Sequence, residues 1–152
     1  MKKLFLIFAL IILLIALFKA NIFEFDDVIS VEKTMRCTNE GIEWMLQVYS
    51  DGTASISPMS DLPANLIVPS SIDGYTITKI SDYAFSGYKN LKTIEFGETI
   101  SEVGDYAFWD CESLVSVVFA SKNIDVKENA FAGCSEKLIE RVEKANPTIH
   151  WS

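Results

Sequence analysis

The sequence predicts a β-rich solenoid, a short stack of similar coils wound along one axis. Two observations carry that expectation. Phe85, Phe108 and Phe131 recur every 23 residues, and each closes an Ala-Phe pair. Downstream of the first two, Leu91, Ile94 and Phe96 match Leu114, Val117 and Phe119, so each coil spells L-x-x-I/V-x-F. A fixed period of 20 to 50 residues is the mark of a solenoid or array.

Each coil divides into three pieces. The first is a short strand before the Ala-Phe pair: Ile77 to Ile80, Ile100 to Val103, and Ile124 to Val126. The last copy is one residue shorter, which leaves its register open. The second piece is the Ala-Phe turn itself. The third is the L-x-x-I/V-x-F strand, in which Ile94 and Phe96 point to one face and Thr93 and Glu95 to the other. One coil cannot bury its own apolar side. Stacked coils can, because each strand pairs with its equivalents roughly 4.8 Å away. The phenylalanines then form one column, each contributing about 1.5–3 kcal/mol on burial. Ala84, Ala107 and Ala130 form a second column that admits only a small side chain.

The terminal coils need covers. At the front, Ile42, Trp44, Leu46 and Val48 alternate with polar residues, Asp51-Gly52 follows, and Ala54 and Ile56 return. Asp-Gly between alternating runs signals a hairpin, so residues 42–57 are expected to cap the first coil. At the back, Ser135 can cap a helix over residues 135–146 that Pro147 ends. Its expected core face holds Leu138, Ile139, Val142 and Ala145, with Glu140 and Lys144 as an i,i+4 pair on the wet side. Thr148 to Trp151 can add a final extended piece. The repeats themselves are placed at residues 62–134, and residues 21–41 read as a connector.

The N-terminus indicates export. Lys2 and Lys3 precede an unbroken apolar run from Leu4 to Phe18. That is the charge and length of a signal peptide over residues 1–20. Fifteen helical residues rise only about 22 Å, short of a roughly 30 Å hydrocarbon core. Phe18 is large for a cleavage site, however, and Lys19 can snorkel, so an uncleaved anchor through residues 4–23 is the alternative. Both readings place the rest of the chain outside the cytoplasm, secreted or at the cell surface. That remainder is long enough for one domain with a real core.

The net charge is −8, and losing Lys2, Lys3 and Lys19 would make it more negative. Such a chain repels phosphate backbones, which argues against nucleic-acid binding. The acidic residues are spread along the chain as a solvated surface. No C-x-x-C spacing occurs and His150 is the sole histidine, so neither a metal nor another cofactor is expected. Cys111 and Cys134 hold equivalent places in successive coils. Stacking about 5 Å apart in an exported protein permits a disulfide between them. Tyr88 fills the same slot one coil earlier, which favours a packing position occupied by buried thiols. Cys37 has no evident partner.

The segments Ile80-Ser-Asp-Tyr-Ala-Phe85, Cys111-Glu-Ser-Leu-Val-Ser-Val-Val-Phe119 and Leu66-Ile-Val-Pro-Ser-Ser-Ile-Asp-Gly-Tyr-Thr-Ile-Thr-Lys-Ile80 resemble the BspA-type leucine-rich repeats of cell-surface and secreted proteins. The resemblance spans roughly residues 42–134. It implies a leucine-rich-repeat stack between its two caps and a role in binding or adhesion. The chain departs from the family in having two full coils and a truncated third, and in Gly97 where Pro usually follows the strand.

No nucleophile motif or phosphate-cradling glycine loop occurs, and His150 lies at the extreme C-terminus. A non-catalytic module binding a protein or glycan is therefore expected. Its candidate contact residues are the outward strand positions Thr93, Glu95, Ser116 and Val118, with Trp109, a frequent hot-spot residue type, beside them. Two alternatives stand: a membrane-tethered structural envelope protein, and a secreted hydrolase whose site would need two converging acids.

Overall fold

In a computed structural model that describes residues 29–152, equivalent strands of successive coils lie side by side in two sheets. Residues 1–28, which contain the expected signal or anchor, lie outside the described residues. Among the described residues, no helix is long and apolar enough to cross a membrane.

The elements run β1 (Val31–Asn39), β2 (Ile42–Tyr49), β3 (Thr53–Pro58), β4 (Asn65–Val68), β5 (Ser71–Ile72), β6 (Tyr75–Ile80), β7 (Thr93–Phe96), β8 (Glu102–Val103), β9 (Ser116–Phe119), β10 (Asp125–Val126), helix α1 (Glu136–Ala145) and β11 (His150–Trp151). The larger sheet has the order β1-β2-β3-β6-β8-β10-β11, with β5 attached to β6. The smaller sheet is β4-β7-β9. From β3 and β4 onward, strands of successive coils join in parallel, as a coil that returns in the same sense requires, and only the short β5 pairs antiparallel, with β6.

Between the sheets the Ala-Phe turns build a third ladder without regular strands. Phe85 N–H donates to Ala107 O (2.7 Å), and Phe108 N–H repeats the bond to Ala130 O (2.8 Å). Gly87 N–H meets Trp109 O (2.7 Å) and Asp110 N–H meets Ala132 O (3.1 Å). The core fills from all three sides. The Phe85 and Phe108 rings stack with centroids 5.4 Å apart, and Phe108 and Phe131 at 4.9 Å. Phe96 and Phe119 form a second stack at 5.1 Å. Phe96 meets Phe85 and Phe108 edge-on, so the two columns interdigitate. Ala84, Ala107 and Ala130 are buried in a row beside them.

The register left open in the last coil is resolved at Asn123. Its backbone is left-handed (φ 60°), which Asn tolerates. The bend returns Asp125 and Val126 to the places of Glu102 and Val103.

The front cap is larger than a hairpin. β2 and β3 pair antiparallel across the Asp51-Gly52 turn, where the Asp51 carboxylate accepts from Thr53 N (2.9 Å) and Thr53 Oγ1 (2.7 Å). Residues 31–39, read from the sequence as part of a connector, form β1 instead and pair along β2. The turn between them is Glu40-Gly41, both with positive φ (50° and 79°), the backbone a two-residue hairpin needs. Most of β1 is exposed on both faces, so it carries no alternating apolar signal.

At the back, Ser135 Oγ accepts from Leu138 N (3.3 Å) and starts α1. Leu138 and Val142 are buried, Ile139 packs against the core, and the helix lies on β9. Ala145, expected on the core face, is exposed, and Asn146 is buried instead, its side-chain amide donating to Val142 O (2.9 Å). The Glu140–Lys144 pair is not among the ion pairs of the described residues. β11 covers the end of the other sheet by pairing with β10.

Candidate functional site

The outward face of β4-β7-β9 forms a small, ordered lattice. The register aligns Asn65, Thr93 and Ser116 in one row, and Ile67, Glu95 and Val118 in the next. Inward neighbours Leu66, Val68, Ile94, Phe96, Val117 and Phe119 are buried, which fixes the outward set by strand alternation. In the first row Thr93 Oγ1 donates to Asn65 Oδ1 (2.9 Å). The second row leaves Ile67 71% and Val118 39% exposed, on either side of the exposed Glu95.

Four of the five contact residues expected from the sequence thus share this face. Trp109 does not. It sits in the turn column, in register with Ser86 and Ala132. It is 47% exposed and backs onto the next turn, where a Cβ on Gly133 would lie 3.5 Å from its Cδ1. Asn65 and Ile67 extend the face by one coil that the sequence reading did not align. The spacing from Asn65 to Thr93 is 28 residues against the usual 23. The additional residues make the β5–β6 hairpin, whose Asp73-Gly74 turn has both φ values positive (51° and 85°). Leu66-x-Val68 was the available signal for this extra strand.

The other sheet carries a ladder of charge. Glu102 lies in register between Lys79 and Asp125, and Asp125 next to His150. Lys79 Nζ donates to Glu102 Oε1 at 2.6 Å, and His150 Nδ1 lies 3.0 Å from Asp125 Oδ1. Burial alone would lower the Lys79 pKa, but the Glu102 hydrogen bond and charge outweigh it and hold the ammonium above its ordinary value. The hydrogen bond from His150, helped by Ser152 and Lys127, holds Asp125 below the usual carboxylate range. The Lys79–Glu102 pair is partly exposed and His150 largely so; both pairs match one coil to the next, a registering role worth little energy.

The cysteines are free thiols, not a disulfide. Cys111 Sγ donates to Phe85 O (2.9 Å) and Cys134 Sγ to Phe108 O (3.1 Å). Tyr88, in the same slot, donates its hydroxyl to Ser60 O (3.1 Å). The slot therefore selects a side-chain donor that reaches back to a main-chain carbonyl of the preceding segment. Burial pushes the Cys111 thiol up to about 12 and raises Cys134 as well. Such thiols are poor nucleophiles. Cys37 is buried in the front cap, and burial raises it too.

Among the described residues, no group of three or more His, Cys, Asp or Glu side chains could hold a metal ion. The open grooves are shallow. One, of about 850 Å³, lies between Met59–Leu62 and Ser86–Asn90. Another, of about 450 Å³, lies at the back end beside Phe131 and Trp151. The sheet face offers hydroxyls, an amide, one carboxylate and two aliphatic side chains on a rigid lattice, a chemistry of contact.

Three solved structures share the fold. The Treponema pallidum leucine-rich repeat protein TpLRR superposes with a TM-score of 0.54 at 19% identity, covering 59% of this chain and 42% of that one. A leucine-rich cell surface protein of Faecalibacterium prausnitzii A2-165 gives 0.52 at 23% identity, covering 64% and 27%. A leucine-rich repeat protein of Bacteroides capillosus ATCC 29799 gives 0.55 at 18% identity, covering 80% and 99%. The chain thus spans less than half the length of the first two. No curated protein sequence matches it. The model of the BspA type leucine rich repeat region matches residues 65–145 in six copies, more than half of the sequence, and with the stacked Ala-Phe turns and paired L-x-x-I/V-x-F strands it places this chain in the BspA-type leucine-rich repeat family.

Proposed function

We propose that this protein is a non-catalytic binding module, exported and held at or released from the cell surface, that docks a protein or glycan on the outward face of β4-β7-β9. The observation that supports this most is the row Ile67, Glu95 and Val118: aliphatic side chains left in solvent on a face whose geometry every buried residue beneath it fixes. Exposed apolar groups with a polar surround are what contact surfaces present. The apolar run after Lys2-Lys3 supports export, and the cell-surface neighbour from Faecalibacterium is consistent with it. Trp109 offers a contact from the turn edge, outside this face.

The test is to probe protein and glycan arrays with the exported portion, residues 21–152, and with its Ile67→Asp/Val118→Asp variant. Binders that the double variant loses by tenfold or more support the reading. An array without binders, or binders indifferent to the substitutions, would overturn it. Tethering through residues 4–23 is the second reading, favoured by Lys19 and the large Phe18 at the cleavage position. Retention in the detergent-extracted membrane fraction distinguishes it from release.

A further inference from the structure

We propose that the cleft at the back end of the stack docks an extended, basic segment of a partner protein by main-chain pairing. This surface is separate from the sheet face and does not depend on the reading above.

The inter-coil ladder is left unfinished there. In each earlier coil the N–H of the Phe position and the N–H two residues on donate to the next coil, as Phe85 and Gly87 do, and then Phe108 and Asp110. In the last coil these groups are Phe131 N–H and Gly133 N–H, and neither donates to an acceptor among the described residues. β11 begins the next layer. His150 N–H bonds Ile124 O (2.8 Å), and Glu128 N–H bonds Ser152 O (3.1 Å). α1 covers the end of the smaller sheet. Among the described residues nothing covers the turn column between them, so two donors spaced i and i+2 face a groove, as at the edge of a sheet.

The groove fits a side chain as well as a backbone. It measures about 450 Å³, with Phe131, Ile139 and Trp151 as apolar lining. Trp151, partly buried, meets Phe131 edge-on at 6.2 Å, and both line the groove. Glu128 and Glu143 also line it, and among the described residues no Lys or Arg does. A segment with an apolar residue beside a Lys or Arg complements both features. The chain's own residues 22–28 (Ile-Phe-Glu-Phe-Asp-Asp-Val) carry three carboxylates, which the two glutamates repel. The occupant is therefore a basic partner segment.

The experiment uses the full chain in a mild detergent. The probe is a library of eight-residue peptides mixing aliphatic or aromatic residues with Lys, Arg, Asp, Glu or Ser. Retained peptides should be enriched in Lys or Arg next to an apolar residue. On adding one, hydrogen exchange at the Phe131 and Gly133 amides should slow at least tenfold. Glu128→Lys/Glu143→Lys should weaken binding at least tenfold, while Glu95→Lys on the sheet face leaves it unchanged. Both charge changes are on the surface, and an unchanged unfolding midpoint confirms folding. Acidic or charge-indifferent hits, no binding, or protection only at β7 and β9 would overturn the proposal. So would amides already protected in the peptide-free full chain and released by deleting residues 1–28, which would make the occupant internal.

Discussion

The thiol of Cys111 donates to the main-chain carbonyl of Phe85, one coil back, at 2.9 Å. A cysteine there is a hydrogen-bonding strut, and its chemistry follows from that. With its pKa raised to about 12 by burial, Cys111 is almost wholly protonated at pH 8. The native protein should therefore leave Cys111 unmodified by iodoacetamide at pH 8 over a time that fully labels the urea-unfolded chain, as peptide mass mapping would show. Cys111→Ala should cost about 1–3 kcal/mol, from the lost sulfur packing and the lost thiol hydrogen bond, which leaves Phe85 O with only the long bond from Tyr88 N–H (3.4 Å). Rapid native labelling would contradict the strut.

Phe108 is the middle ring of its column, stacked at 5.4 Å on one side and 4.9 Å on the other. Phe108→Ala should cost about 3–5 kcal/mol, because both neighbouring coils hold the cavity open. Phe131→Ala should fall at or below the lower end of that range, since Trp151 can relax into the space from the open groove. Urea denaturation of both variants gives the comparison, and equal losses would argue against a column whose end can yield.

Gly104 is required by close approach. A Cβ there would stand 2.7 Å from Asp82 N and 2.9 Å from Ser81 C, main-chain atoms of the preceding coil. Gly104→Ala should destabilise by about 1–3 kcal/mol. Gly97→Ala meets mainly the hydroxyl of Ser70, a side chain free to rotate, and should cost less than about 1 kcal/mol. Thermal unfolding separates the two. Reversal of their order would show that the coils are not as close at Gly104 as they stand here.

Asp125 ties β11 to β10. Because the His150 hydrogen bond lowers its pKa in the folded state, its stabilising contribution is fully present above the ordinary aspartate value of about 3.9. It is lost as pH falls through the depressed folded value. Acid should therefore loosen β11 below about pH 4, read as a change in Trp151 fluorescence in a variant with Trp44 and Trp109 replaced by Phe. Asp125→Asn should remove that acid step. Persistence of the step in Asp125→Asn would assign it to another carboxylate.

The repeating part of this fold was legible because burial repeats in register. Phe85, Phe108 and Phe131, and then Phe96 and Phe119, each occupy the same niche, so the period shows in the letters. The front was less legible for definite reasons. β1 buries only Cys37, and its turn uses Glu40-Gly41 in place of Asn-Gly, so neither alternation nor turn chemistry marked it. β4 was hidden by the inserted Asp73-Gly74 hairpin, which breaks the spacing. The outward positions Thr93, Glu95, Ser116 and Val118 follow directly from strand alternation. The separate placement of Trp109 did not, because a turn without a strand's period gives no facing rule. Ile67 became visible as part of the face only once β4 was paired with β7.

The inter-coil ladder makes copy number a free variable. Val103 precedes Gly104 in the place that Ile80 holds before Ser81, so joining Ile80 to Gly104 would excise one coil and leave Ala107, Phe108 and their successors facing the partners that the missing layer had faced. Recombination between coils can therefore shorten or lengthen such a protein without redesigning either cap, and the breadth of its outward sheet face can drift between generations while its interior stays the same.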